Sequence, residues 1–267
     1  MKLRVLRTLL VACWTLSACQ GRASKQSENP RTLTVFAAAS LTEVFTEIGQ
    51  GFEAGHPGVK VAFNFAGSQQ LAQQLAQGAQ ADVFASANQA QMDAAVSAGR
   101  IKAETVKVFA RNRLVVIYPK DNPADVVKLQ DLTRPGLKLI LAAKEVPVGG
   151  YALQFLEKAS QSPAFGSDFE AKALENVVSY EENVRAVYSK VALGEADAGI
   201  VYTTDIPKGD SQVGNLVIPD ELNVVAAYPI APLEDSSNPD LATSFIEFVI
   251  SPTGQGILAG YRFSPAE

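Results

Sequence analysis

Four short segments carry small, hydroxylic or amide residues where a polypeptide could hold an anion. Phe36-Ala37-Ala38-Ala39-Ser40-Leu41 sets Ser40 at the expected N-cap of a helix, and Phe65-Ala66-Gly67-Ser68-Gln69 does the same for Ser68. Glu145-Val146-Pro147-Val148-Gly149-Gly150-Tyr151 is a Gly-Pro loop that opens a third helix. Glu181-Glu182-Asn183-Val184-Arg185 opens a fourth, with Asn183 as its cap. A helix N-terminus offers unpaired backbone N–H groups and the positive end of the helix dipole. Several such ends converging bind an anion without any charged side chain. Ser and Asn cap helices routinely, so one such turn carries no functional meaning. Four of them at the carboxyl ends of strands favour a ligand crevice, because open α/β folds bind ligands there.

The competing chemistry for Ser40 or Ser68 is nucleophilic attack, which needs an activating base. His56 is the only histidine, and Gly55-His56-Pro57-Gly58 is a turn composition that places it at the surface. There is no Gly-x-Ser-x-Gly elbow, and no lysine stands three residues after either serine. The expectation is a binding protein rather than an enzyme, with no cofactor. With no paired His and no cysteine in the folded part, a zinc or copper site is not expected either.

The first eighteen residues have the layout of a secretory signal: Lys2, Arg4 and Arg7, then the apolar run from Leu9 to Leu16, then Ser17 and Ala18 before Cys19. The run is too short to span a bilayer as a permanent helix. Leu16-Ser17-Ala18-Cys19 resembles a bacterial lipobox, which makes residues 1–18 a lipoprotein signal peptide and Cys19 the lipidated mature terminus. Gln20 to Arg31 holds no large apolar residue and cannot fold by itself, so residues 19–30 read as a flexible tether. Removing residues 1–18 takes away three positive charges and no negative one, which moves the net charge from -5 to -8. That balance argues against a nucleic-acid partner.

The elements that would carry these turns alternate. Leu33–Ala37, Val59–Phe65 and Asp82–Ser86 read as strands, each followed by an amphipathic helix: Leu41–Glu53, Gln69–Gln77 and Ala90–Ala98. Leu114–Tyr118, Leu137–Ala142 and Ala198–Tyr202 are further strands, and Leu222–Ile230 a long extended segment. Tyr151–Ala159, Asn183–Leu193, Leu241–Ile250 and Thr253–Gly260 read as helices. Strand-helix alternation of this kind predicts parallel βαβ units and an α/β fold.

Read together, six segments resemble the periplasmic molybdate-binding proteins of ABC transporters, type II solute-binding proteins here in lipoprotein form. They are the runs Val35–Thr42, Asn64–Ala72, Ala81–Ala87, Val146–Ala152, Glu182–Arg185 and Gly199–Asp205, in order and at matching spacing. The resemblance covers roughly Thr32 to Glu267. It implies two α/β lobes, each a mixed sheet flanked by helices, joined by two hinge strands: residues 31–110 plus 225–267, and 111–224. It also implies the ligand set: the hydroxyl and N–H of Ser40 and Ser68, the N–H groups of Val148 and Val184, and the phenol of Tyr202. Gln69 stands where the family often has a further hydroxylic residue. A tyrosine at a strand end otherwise simply packs its ring and wets its hydroxyl.

The resemblance implies high-affinity binding of molybdate, with tungstate close behind, outside the cytoplasmic membrane, and delivery to a membrane permease by a lipid-anchored monomer. Another tetrahedral oxyanion such as sulfate is the alternative cargo. Hydrogen bonds to a charged group are worth about 1.5–3 kcal/mol each. Five or more would support micromolar affinity, which takes about 8 kcal/mol.

Overall fold

The computed structural model describes residues 31–266; the expected signal peptide, Cys19 and most of the tether lie outside them. Three βα units come first. Strands β1 (Arg31–Ala38), β2 (Val59–Ala66) and β3 (Val83–Ala85) run parallel, with β1 between the other two. They are separated by α1 (Thr42–Gly55) and α2 (Ser68–Ala76), and α3 (Gln89–Ser97) follows β3. The carboxyl half of β1 is buried on both faces, as a parallel strand covered by helices must be. The helix α1 buries Val44, Phe45, Ile48 and Phe52, the stripe its 3.6-residue period puts on one side.

The chain then enters β4 (Lys107–Pro119), the strand that joins the two halves of the molecule. Its residues Lys107–Arg113 pair with β9 (Val225–Pro232), which also lies antiparallel to β3. From Leu114 onward β4 pairs instead with β7 (Ala198–Tyr202) and β8 (Val213–Val217). At the switch the Asn223 amide accepts from the Leu114 N–H and donates to the Leu114 carbonyl, both at 3.0 Å, standing in for a missing strand. The second half adds β5 (Leu139–Ala142), parallel to β7 and to β6 (Val177–Glu181). Its helices are α4 (Pro147–Gln161), α5 (Phe169–Glu175) and α6 (Val184–Ala192). Finally α7 (Pro239–Ile250) and α8 (Pro252–Gly260) return to the first half and pack on α1 and β9.

The strand order, β2-β1-β3-β9-β4-β7-β5-β6 with β8 beside β4, is the expected mixed α/β architecture. Three elements were not anticipated. The edge strand β6 leaves Val178 and Tyr180 more than half exposed, and β8 leaves Val217 exposed, so neither shows the apolar run of a buried strand. The helix α5 is only seven residues long, too short to display a full amphipathic repeat. The thirteen-residue β4 was legible only in its apolar second half, because Lys107, Arg111 and Arg113 interrupt the first.

An aromatic cluster under α1 fixes the first half. The Phe45 ring centroid lies 5.6 Å from Phe109 and 6.1 Å from Phe245, and Phe52 lies 5.3 Å from Phe245. Each such side chain contributes about 1.5–3 kcal/mol by burial, and the cluster ties α1 to β4 and α7. No helix among the described residues is long and apolar enough to cross a membrane.

Candidate anion-binding site

Ser40 and Ser68 follow the carboxyl ends of the adjacent parallel strands β1 and β2. Neither caps a helix with its side chain, contrary to the sequence-based expectation. Ser40 is the middle residue of a 3₁₀ turn, Ala39–Leu41, and α1 begins only at Thr42. Ser68 is the first residue of α2, and Gly67 holds the capping position. The reason is that both hydroxyls are engaged elsewhere. The Ser40 Oγ lies 3.0 Å from the Tyr228 hydroxyl, and the Ser68 Oγ accepts the Ala87 N–H at 3.0 Å. Asn183 does cap α6, its Oδ1 accepting the Ala186 N–H at 3.0 Å.

In the second half the helix ends present their backbones. Pro147, which has no N–H, opens α4, so Val148 supplies the first donor of that helix. A Cβ on Gly149 would lie 2.1 Å from the Ala143 carbonyl oxygen, so only glycine lets α4 approach the end of β5 this closely. Val184 is the first residue of α6. Among the described residues the N–H groups of Val148 and Val184 bond to no other group.

These elements meet. Ser40, Ser68, Val148, Val184 and Tyr202 line one cavity of about 20 Å³, together with Ala38, Ala39, Gly67, Ala87, Val146, Pro147 and Asn183. All five residues named from the sequence are buried. No acidic or basic side chain is in the lining. A larger cleft of about 500 Å³ opens elsewhere between the halves, but it mixes Arg185, Lys208 and Arg262 with Glu43, Glu47 and Asp205. Its walls offer both signs of charge, so the smaller, neutral cavity is the better anion candidate.

Tyr202 has an unusual position. It is 1% exposed, and its hydroxyl finds no hydrogen-bond partner among the described residues. A buried polar atom left unpaired costs about 1–3 kcal/mol, so nearly all are paired. Burial pushes the phenol well above its usual value, and Tyr228, Tyr151 and Asp205 nearby push in the same direction. Tyr202 therefore keeps its proton and has it to donate. Asp205 accepts the Tyr202 N–H at 3.0 Å and holds the strand end in place. Burial raises the Asp205 carboxyl to about 7 against the pull of Arg185, of that N–H and of Arg262, and its Oδ1 has no partner among the described residues.

Several residues around the cavity escaped the sequence reading. Tyr228 and Asn112, on β9 and β4, stand behind Ser40. Gly67 approaches the opposite wall so closely that a Cβ there would lie 2.7 Å from the Glu182 carbonyl oxygen. Gln69 does not line the cavity; its Nε2 donates to that same carbonyl at 2.9 Å. The Gln70 Nε2 reaches the Glu182 carboxylate at 3.1 Å, and Arg185 pairs with Glu43. His56 stacks on Phe52 away from the cavity. Spacing alone gave no signal for these cross-cleft contacts, which join residues more than a hundred positions apart.

The family model for bacterial extracellular solute-binding proteins matches residues 33–264. The molybdate-binding protein ModA of Mycobacterium tuberculosis is 41% identical over 249 residues, which cover 93% of this chain and 90% of that one. A solved substrate-binding domain of a molybdenum ABC transporter from Clostridium difficile is 29% identical, with a TM-score of 0.66 over 88% of this chain and 99% of that one. The sulfate-binding protein SubI of Mycobacterium tuberculosis superposes with a TM-score of 0.79 at 19% identity, over 89% and 88% of the two chains, and shares the fold. By sequence and architecture together, the chain belongs to the family of bacterial extracellular solute-binding proteins.

Proposed function

We infer that this protein captures molybdate, and tungstate comparably, outside the cytoplasmic membrane and delivers it to an ABC importer. One observation carries the reading: the cavity walls are hydrogen-bond donors with no charged group among them. Among the described residues the two valine N–H groups and the buried Tyr202 hydroxyl have no partner, and the Ser68 oxygen accepts the Ala87 N–H while its own proton is left to donate. Such a surface suits a fully deprotonated tetrahedral dianion. The ligands in this reading are Ser40, Ser68, Val148, Val184 and Tyr202. The likeness to molybdate-binding relatives supports molybdate as the cargo.

The lobes in this reading are residues 31–110 plus 225–267, and 111–224, with β4 and the segment leading into β9 as the hinge. Ser40 and Ser68 lie on one lobe and the other three ligands on the second, so full coordination requires closure. The permease would read the closed form. The protein acts as a monomer held at the membrane through lipid on Cys19. Cys19→Ala should leave it unlipidated and released; unchanged membrane retention would remove the anchor from this account.

Thermal unfolding tests the cargo. Ligand at a hundred times Kd adds about 2.7 kcal/mol of stability, or roughly 5–10 °C in Tm for a protein of this size. Molybdate and tungstate should each give that shift, sulfate far less, and phosphate none. A shift with phosphate but not molybdate would overturn the reading, and one with sulfate alone would change the cargo.

A further inference from the structure

The hydroxyl of Ser40 can serve the anion only if its proton points into the cavity, and the residues behind it decide that. Behind Ser40 stands a donor that cannot turn round. The backbone N–H of Arg113 donates to the Asn112 Oδ1 at 2.9 Å, and the Thr203 hydroxyl donates to the same oxygen at 3.1 Å. An amide's oxygen and nitrogen are assigned by their partners, and here the obligatory Arg113 donor fixes the orientation. The Asn112 Nδ2 must then face the Thr204 Oγ1 at 2.7 Å and the Tyr228 hydroxyl at 3.3 Å. An amide nitrogen only donates, so the Tyr228 oxygen is an acceptor there. Among the described residues the one well-formed bond open to its own proton is to the Ser40 Oγ at 3.0 Å.

Tyr228 is fully buried and Asn112 is 2% exposed, so water does not compete with this arrangement. Burial also holds the Tyr228 phenol far above its ordinary range, so it stays protonated. With the Tyr228 proton on its oxygen, Ser40 is left to donate its own.

We propose that Tyr228, oriented by Asn112, is a specificity-determining residue that fixes Ser40 as a donor and so excludes oxyanions that still carry a proton. Two partners of Asn112, Thr203 and Thr204, follow Tyr202 directly in the chain, so the same network spans from the Ser40 side of the cavity to the Tyr202 side. The proposal rests on the anion-site reading above.

Sulfate and monohydrogen phosphate are dianions of similar size that differ by one proton, so their affinity ratio isolates the effect. It is measured by calorimetry at pH 8 on the purified mature protein, with molybdate as the size control. In the parent the ratio favours sulfate. In Tyr228→Phe the Ser40 hydroxyl is no longer held by an incoming bond, so it can rotate, turn an oxygen lone pair into the cavity and accept the phosphate proton. The sulfate-to-phosphate ratio should fall about tenfold, the worth of one hydrogen bond made instead of missed, while the molybdate-to-sulfate ratio stays as it was.

Asn112→Asp is the second variant. A carboxylate there would draw the Tyr228 proton away from Ser40 and should lower the sulfate-to-phosphate ratio in the same direction. The added charge acts on both dianions alike and cancels in the ratio. An unchanged ratio in both variants, with sulfate and molybdate still bound by the parent, would overturn the relay and leave the site standing. A parent that binds none of these anions would overturn the site reading and the relay with it.

Discussion

The side-chain amide of Gln69 donates to the main-chain carbonyl of Glu182 at 2.9 Å, tying the start of α2 to the turn that opens α6. Gly67 lies beneath this bond, and a Cβ on it would sit 2.6 Å from the Gln69 amide and 2.7 Å from the Glu182 carbonyl oxygen. The amide could swing away, but the carbonyl belongs to the backbone that presents the Val184 N–H. Gly67 has φ -58° and ψ 135°, which alanine adopts freely. Gly67→Ala should therefore fold normally yet hold the two halves apart. We expect at least about a tenfold loss of molybdate affinity, roughly 1.4 kcal/mol, with Tm of the ligand-free protein changed little. Small-angle scattering with ligand should show a more open particle; a fully compact, tight-binding variant would count against closure at this point.

Tyr202→Phe separates stability from binding. The Tyr202 hydroxyl is buried and has no partner among the described residues, so its removal takes away an unsatisfied group. The ligand-free variant should be as stable as the parent or more so. Molybdate affinity should fall by about 1.5–3 kcal/mol, the worth of a hydrogen bond to a charged group. A variant destabilised without ligand and unchanged in affinity would place this hydroxyl outside the site.

The serines should behave differently from the tyrosine. Ser68→Ala leaves the Ala87 N–H without its acceptor, and Ser40→Ala leaves the Tyr228 hydroxyl without its own. Each should cost the ligand-free protein about 1–3 kcal/mol for the orphaned group, and affinity about 1.5–3 kcal/mol. Chemical denaturation and calorimetry read the two losses separately. Undiminished affinity in both variants would remove the serines from the ligand set.

Asp205 predicts a pH dependence of stability. Its carboxyl is raised to about 7 by burial in the folded protein, with Tyr202, Tyr228, Arg185 and Arg262 as its charged or titratable neighbours. The unfolded carboxyl ionises near about 3.9. Between roughly pH 4 and pH 7 the unfolded chain gives up a proton that the folded protein keeps, so stability falls as pH rises through that window. Asp205→Asn mimics the neutral carboxyl. Relative to the parent it should gain stability progressively across the window, by roughly 4 kcal/mol at most. Parallel curves for parent and variant would show that Asp205 does not titrate there.

Much of this protein was legible in one dimension. The parallel βα units follow from alternating apolar strands and 3.6-period helices, and α1 shows why: Val44, Phe45, Ile48 and Phe52 bury one face whatever the rest of the chain does. Local chemistry also named the Asn183 cap, which depends on neighbours three residues away. Ser40 and Ser68 were found as polar residues at strand ends, but their roles as helix caps were not what the fold assigned them. Those roles depend on Tyr228 and Ala87, and a capping motif in sequence cannot register a hydroxyl claimed by a distant group.

Periodicity and turn chemistry reveal the α/β class, the strand-end serines and the helix starts at Val148 and Val184, and the family resemblance adds Tyr202. That these residues line one small cavity becomes visible only in three dimensions. That cavity exists because β4 changes partners at Leu114 and turns one half of the molecule toward the other. Its two serine hydroxyls are held by long-range bonds: Asn112 to Tyr228 to Ser40, and Ala87 to Ser68. Periodicity and capping are short-range properties that a chain displays locally. The direction of a hydroxyl proton is set by whichever group stands behind it, and here that group is supplied by a strand 188 residues away.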